Sequence, residues 1–201
     1  MDSLEALRAC ISTPSQLKVC SRNQALAALL CMAFARVSLN VHGLPGSQKF
    51  DFRMPVNMRR RGSLSMGYMG NGLCQLNVSA TLQELCENPL AHVVDKIKRT
   101  LESLDLGEKF QSMVDYVELQ RREGLNPFIG LLSMPSLVGL PFYETDCGWG
   151  APKYVGNPSQ QLSNRCIILD HPEAQAWNVL VTFASSEEHA CFRDGIANYI
   201  S

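Results

Sequence analysis

The sequence has almost no net charge, because 18 basic residues face 19 acidic ones for a formal balance of -1. So small an imbalance provides no global field to draw in nucleic acid or an anionic membrane surface, and leaves any anion site to a local cluster. No stretch reaches the roughly 18 apolar residues that a membrane helix needs. The eight cysteines include no CxxC pair, and their irregular spacing argues against a secreted disulfide framework. Most of them lie in apolar stretches, such as Cys31 in ALLCMAF and Cys166 in RCIIL. Buried reduced thiols and a cytoplasmic location are therefore expected. The segment MDSLEALRACISTPSQLKVC at the start carries acidic Asp2 and Glu5 and no continuous apolar core, unlike a signal peptide. GSLSMGYMGNG lacks both GxGxxG and a GK[ST] ending, which excludes a phosphate-cradling P-loop there. No internal repeat or low-complexity linker divides the chain.

What is present is enough apolar material for one sizeable core: 201 residues, 46% of them hydrophobic and 18% charged. A single domain over residues 1–201 is expected. A short helix is predicted from Ser3 to about Cys10, with Leu4, Leu7 and Ile11 at helical spacing. Ser21 and Gln24 form an S-x-x-Q capping box before ALAALLCMAFARV, predicting a largely buried helix over 22–36. From Gln48 to Asn57, Phe50, Phe52, Met54 and Val56 alternate with polar residues as in a strand, and LCQLNVSAT predicts a second one. Asn88 followed by Pro89 reads as an N-cap and first helical position, with Leu90, Val93, Val94, Ile97 and Leu101 tracing one face. A further helix is predicted over Glu108 to Arg122. Beyond Pro127, FIGLLSM, LPFYETDCGWG, RCIILD and AWNVLVTFAS read as three or four buried strands, and Ser185 with Glu188 caps a closing helix bearing Phe192, Ile196 and Ile200. Strands that do not strictly alternate with helices argue for an α+β fold, a mixed α/β arrangement with a mixed sheet covered by helices.

Chemistry is sparse. Of the four histidines, His42, His92, His171 and His189, only His92 has a carboxylate at contact spacing, Asp95, and this reads as a surface helix pair. His189, in the first turn of the last helix, is expected to be exposed and without a role. Cys147 beside Gly148 reads as a small apolar filler. No ligand set at a recognised spacing indicates a metal site. The basic run Arg59, Arg60 and Arg61 follows a strand and precedes a glycine-rich turn, a setting suited to bidentate phosphate recognition.

Four pieces, in order over nearly the whole chain, resemble the second domain of the BAHD acyl-CoA-dependent acyltransferases. Asp146 to Gly150, DCGWG, is similar to that family's D-F-G-W-G, with Cys147 in place of Phe. Tyr68-Met69-Gly70-Asn71 resembles the Y-F-G-N that follows D-x-R-x-R, here Asn57-Met58-Arg59-Arg60-Arg61. Ser21 to Arg36 resembles the Ser-led, Ala/Leu-rich helix, and SNRCIIL with AWNVLVTFASSEEHACF resembles the two closing strands and last helix. Ser136-Leu137 departs from the Ser-Trp that many members place along the acceptor channel, which leaves the acceptor open.

The resemblance implies a chloramphenicol-acetyltransferase-like domain and acyl transfer from acyl-CoA, a co-substrate rather than a bound cofactor, to a hydroxyl or amine of a specialised metabolite. It assigns Ser21, Arg22, Asn57, Arg59 and Arg61 to the CoA phosphates or the channel wall. It makes Tyr68, Gly70, Asn71, Asp146, Gly148, Trp149 and Gly150 structural: Trp149 would fill core, and Asp146 would pair with Arg59 or Arg61. The family's base is the histidine of H-x-x-x-D in its first domain. Here the residues four beyond each histidine are Gly46, Lys96, Gln175 and Arg193, so no catalytic residue is assigned and the first domain is expected to be absent. Acting alone the chain is expected to be incomplete. Its partners would be acyl-CoA and a small acceptor if a first domain completes it, or a second chain, or its own copy, bound through the exposed inter-domain face; no nucleic acid or membrane partner is expected.

Overall fold

The computed structural model describes residues 7–8, 11, 20–59, 64–103, 105–124, 132–156, 166–173 and 176–200. Helix α1 (Arg22–Asn40) begins as its sequence predicts. Ser21 Oγ accepts from the Gln24 N–H at 3.2 Å, and Gln24 Oε1 accepts from the Ser21 N–H at 2.9 Å. It runs past the predicted end to Asn40 because neither Gly nor Pro interrupts it and Val37 is still buried. Gly43, at φ 63, turns the chain away. Ala25, Ala27, Ala28, Cys31, Ala33 and Ala35 have no exposed surface, so α1 is the central rod of the core.

Strands β1 (Lys49–Asn57) and β2 (Leu73–Thr81) pair antiparallel, with Phe52 opposite Val78 and Met54 opposite Leu76. Phe52, Met54, Cys74, Leu76, Val78 and Ala80 are buried, so the β2 alternation is cleaner in the fold than in the sequence. β3 (Leu132–Ser133) joins the other edge of β1 in parallel, giving a mixed sheet of order β2-β1-β3. β4 (Cys166–Asp170) and β5 (Trp177–Val181) form an antiparallel ladder. Backbone bonds connect the two sheets: Met134 N–H donates to Arg53 O, Ile168 N–H to Pro135 O and Leu137 N–H to Ile168 O. Contrary to expectation, β5 is half-buried along its whole length, as the outer member of its ladder.

In chain order, α2 (Leu82–Glu87), α3 (Leu90–Glu102) and α4 (Leu106–Arg122) come between β2 and β3 of the same sheet. Asn88 is not the cap of α3 but closes α2, its Nδ2 donating to Glu84 O at 2.9 Å. Proline disfavours helical backbone in the residue before it, and Pro89 itself is extended (φ -61, ψ 153), so it occupies the cap position. The predicted apolar face is correct, with Leu90, Val93, Val94 and Ile97 buried. α4 starts earlier than Glu108 because Asp105 accepts from the Gly107 and Glu108 N–H groups.

LPFYETDCGWG is not a strand. It forms a short 3-10 turn, Phe142–Glu144, and a loop in which Gly148 and Gly150 take φ 97 and 90, values no strand accommodates. Leu7, Arg8 and Ile11 are helical, with Leu7 and Ile11 buried, while the rest of the predicted Ser3–Cys10 helix and most of FIGLLSM lie outside the described residues. α5 (Ser186–Ile200) closes the chain. Ser185 Oγ accepts from the Glu188 N–H, but the Glu188 carboxylate takes the Ala184 N–H rather than that of Ser185. Phe192 of α5 packs edge-on against Phe34 of α1, with ring centroids 4.9 Å apart.

The described cysteines are free thiols. Burial pushes Cys166 up to about 12 and raises Cys31 well above its ordinary value, which keeps both protonated and unreactive. Cys147 is exposed rather than a core filler.

Candidate functional site

Arg59 is the organising residue of the predicted anion site. Its Nε donates to Tyr68 O at 3.0 Å, Nη2 to Gly70 O at 2.6 Å and Nη1 to Asn57 Oδ1 at 3.4 Å. Asn57 Oδ1 also accepts from the Arg59 N–H, and the guanidinium carbon lies 5.8 Å from the Tyr68 ring centroid. Gly72 permits this approach, since a Cβ there would sit 2.9 Å from Leu64 Cδ1 and 3.2 Å from Arg59 Nη1. Asn57-Met58-Arg59 and Tyr68-Met69-Gly70-Asn71 are therefore two halves of one clamp that ties the end of β1 to the loop entering β2. Two of the five guanidinium N–H groups hold this loop and a third holds Asn57, and the other two have no partner among the described residues. Arg60 and Arg61 lie outside the described residues.

Ser21 and Arg22 sit at the start of α1, where the helix dipole favours an anion and no acidic residue in the first turn opposes it. Ser21 is exposed and its hydroxyl accepts from the backbone as a cap.

Among the described residues Asp146 pairs with no arginine, Arg59 included, while Arg61 lies outside them. Its Oδ1 accepts from the Gly148 N–H at 2.7 Å and the Gly150 N–H at 2.9 Å, and these bonds hold its carboxyl below the ordinary range. Left-handed backbone at both glycines aims their amides at one carboxylate, which removes the need for a cation. Trp149 is 94% exposed and fills no core, because the same loop projects its side chain outward. Met69 and Tyr154 are also exposed, at 98% and 68%.

The histidines acquire partners that sequence spacing could not show. His42 meets Glu188 at 3.1 Å, across most of the chain. His92 meets Glu84 at 3.0 Å rather than Asp95, which pairs with Arg99, and Lys96 reaches the same Glu84 oxygen at 2.7 Å. His171 Nδ1 accepts from the Glu173 N–H, and the exposed His189 ring lies 5.5 Å from that of Phe183. Among the described residues no cluster of three or more His, Cys, Asp or Glu side chains is placed to hold a metal ion.

Two of these contacts predict an acid response. Hydrogen bonds from Lys96 and then His92 lower Glu84, while those from the Ala184 amide and then His42 lower Glu188. Both carboxylates lie below an ordinary value of 4.5. Their contribution is complete above that pH and is lost as pH falls below it, through the folded-state values. Urea midpoints measured from pH 6 to about 3 should therefore fall below about pH 4.5, and less steeply in Glu84→Gln.

The family model described as Transferase family matches residues 1–194. The chain belongs to the BAHD acyltransferase family. It is 29% identical to rosmarinate synthase of Plectranthus scutellarioides over 153 residues, covering 73% of this chain and 35% of that protein. It is 33% identical to the fatty alcohol:caffeoyl-CoA acyltransferase of Arabidopsis thaliana over 150 residues, covering 72% of this chain and 34% of the relative. Among solved structures, vinorine synthase superposes with a TM-score of 0.73 at 22% identity, covering 100% of this chain and 46% of its own. F. sporotrichioides TRI101, complexed with coenzyme A and T-2, superposes with a TM-score of 0.79 at 18% identity, covering 96% and 46%. These likenesses show a chloramphenicol-acetyltransferase-like α+β fold. The chain spans about a third of the length of these curated BAHD relatives and under half of each solved structure. No helix among the described residues is long and apolar enough to cross a membrane.

Proposed function

We propose that this chain supplies the CoA-binding side of an acyl-transfer site that transfers an acyl group from acyl-CoA to a hydroxyl or amine of a specialised metabolite. The observation that carries this reading is the Arg59 clamp, which fixes a guanidinium against the 68–70 loop with two N–H groups that have no partner among the described residues. Ser21 and Arg22 at the acid-free start of α1 form the second phosphate contact, Asn57 holds Arg59 in place, and Arg61, outside the described residues, is assigned to the wall by the resemblance alone. Tyr68, Gly70 and Asn71 shape the loop, and Asp146, Gly148, Trp149 and Gly150 form a separate structural turn.

In the reaction a base takes the acceptor proton, the acceptor oxygen or nitrogen attacks the thioester carbonyl carbon, and the carbon–sulfur bond breaks to release CoA. The family's base would be the histidine of an H-x-x-x-D segment, a pattern that none of the four histidines here forms. Free and largely buried thiols favour the cytoplasm as the compartment.

Calorimetric titration with CoA tests the reading. Saturable binding is expected, weakened about tenfold or more by Arg22→Ala and by Arg61→Ala, the loss expected for one charge-assisted phosphate contact. Absence of CoA affinity, or affinity indifferent to both substitutions, would remove the site assignment.

The exposure of Trp149, Met69 and Tyr154 favours a second reading in which the chain pairs with another polypeptide or with itself. Light scattering that finds a clean monomer at all concentrations would count against self-pairing.

A further inference from the structure

The outer face of the β1-β2 hairpin carries a buried polar atom that acyl transfer leaves unused. Phe52, Met54, Cys74, Leu76 and Val78 turn into the core, so alternation places Gln75 on the opposite face of the sheet. α4 packs over that face, and the Gln75 N–H donates to Met113 Sδ at 3.3 Å. Between helix and sheet lies a cleft of about 240 Å³, whose helical wall is Lys109, Ser112, Met113, Tyr116 and Val117.

Gln75 lines this cleft, and its side-chain Oε1 is buried with no hydrogen-bond partner among the described residues. An acceptor buried in this way is costly, and a ligand that donates to it recovers the cost. Arg53 lines the cleft as well, but it already interacts within the chain and is no open receptor for an anion. A carboxylate would bring only acceptors toward Gln75 Oε1 and would lose its own hydration on entry. The lining calls instead for an uncharged donor on an apolar body. Met113, Val117 and the Tyr116 ring set the shape of that body, because a thioether and an aromatic face both favour contact with a ring. The volume is below that of a drug-sized site, which limits the ligand to about one ring and excludes a CoA molecule.

We propose that the cleft between α4 and the outer face of β1-β2 binds a small neutral phenol, its ring against Met113, Tyr116 and Val117 and its hydroxyl donating to Gln75 Oε1. The site uses none of Ser21, Arg22 or Arg59, so it stands apart from the CoA assignment.

The test is calorimetric titration of the full chain with three probes: 4-methylphenol, 4-methylanisole, in which a methyl group caps the same hydroxyl, and benzoate. Saturable binding of 4-methylphenol is expected, about fivefold or more tighter than 4-methylanisole, the effect of one hydrogen bond to a buried acceptor. Benzoate should bind no better than the ether. Gln75→Leu removes the acceptor and should abolish the preference for the phenol while both neutral rings still bind. Val117→Phe fills the cleft from the helix side and should weaken both about tenfold or more. Should Gln75→Leu fail to fold, the phenol-to-ether ratio of the unaltered chain and Val117→Phe decide the matter. The proposal is overturned by absent saturation, by equal affinity for phenol and ether, by tighter binding of benzoate, by a preference that survives Gln75→Leu, or by affinities indifferent to Val117→Phe.

Discussion

Phe52→Ala is expected to lower the unfolding free energy by about 3–5 kcal/mol, the range for emptying a fully packed aromatic site. Phe52 has no exposed surface and is among the largest fully buried side chains of the described core. It also stands at the junction of the mixed sheet, opposite Val78 on the antiparallel side and Leu132 on the parallel side. Truncation therefore leaves a cavity under two strand neighbours whose positions are fixed by ladder bonds, so collapse into it is limited. Urea unfolding followed by far-UV circular dichroism measures the change, with Lys49→Ala, at the exposed start of the same strand, as a control expected to stay within about 0.5 kcal/mol. A Phe52→Ala effect below about 1 kcal/mol would contradict the burial assigned to this face.

The second large effect concerns Gly195, where α5 crosses α1. A Cβ added there would lie 3.5 Å from both Cα and Cβ of Ala33 and 3.6 Å from Arg36 Cδ, which is ordinary contact. Gly195→Ala should therefore be tolerated and should gain up to about 1 kcal/mol from the better helix propensity of alanine. Gly195→Leu must place further carbons against Ala33, which is wholly buried on the central helix, and would displace Arg36, whose Nη1 donates to Gly195 O at 3.1 Å. A loss of about 1–3 kcal/mol is expected, with the two variants moving the thermal midpoint in opposite directions. Equal and small shifts would show that the helices do not approach as closely as the structure places them.

Both predictions follow from why α1 is so rich in alanine. Small side chains at Ala25, Ala28, Ala33 and Ala35 allow α2, α3 and α5 to pack around one rod, and the same composition made the helix visible in the sequence. Where local chemistry dictated the element, the reading from sequence was close. The Ser21–Gln24 box closed as expected, β2 matched LCQLNVSAT from end to end, and the α3 face was correct. Where two local signals competed, it was not. Asn88 and Pro89 looked like a cap and a first helical position, but Asn88 turned back to close the preceding helix.

The site divides in the same way. DCGWG, Tyr68-Met69-Gly70-Asn71 and the arginine run were legible as motifs of a BAHD domain, because residue types at fixed spacing carry that information. Their roles were less so. Asp146 was read as the partner of Arg59 or Arg61; it does not meet Arg59, Arg61 lies outside the described residues, and its carboxylate gathers two amides that left-handed glycines aim at it. Arg59 was read as an open anion receptor, and it proves also to be the clasp joining two motifs.

By itself the sequence determined the family, most of the long helices and strands, and the lack of an H-x-x-x-D histidine within these residues, because periodicity, caps and motif spacing are local properties of the chain; it missed α2 and misread LPFYETDCGWG as a strand. The tertiary structure alone decided that His42 meets Glu188, that His92 chooses Glu84 over Asp95, that Trp149 faces outward and that Arg53, Gln75 and Lys109 line one cleft. Those contacts depend on sheet register and helix crossing, which bring together residues far apart in sequence and leave no periodic trace in it.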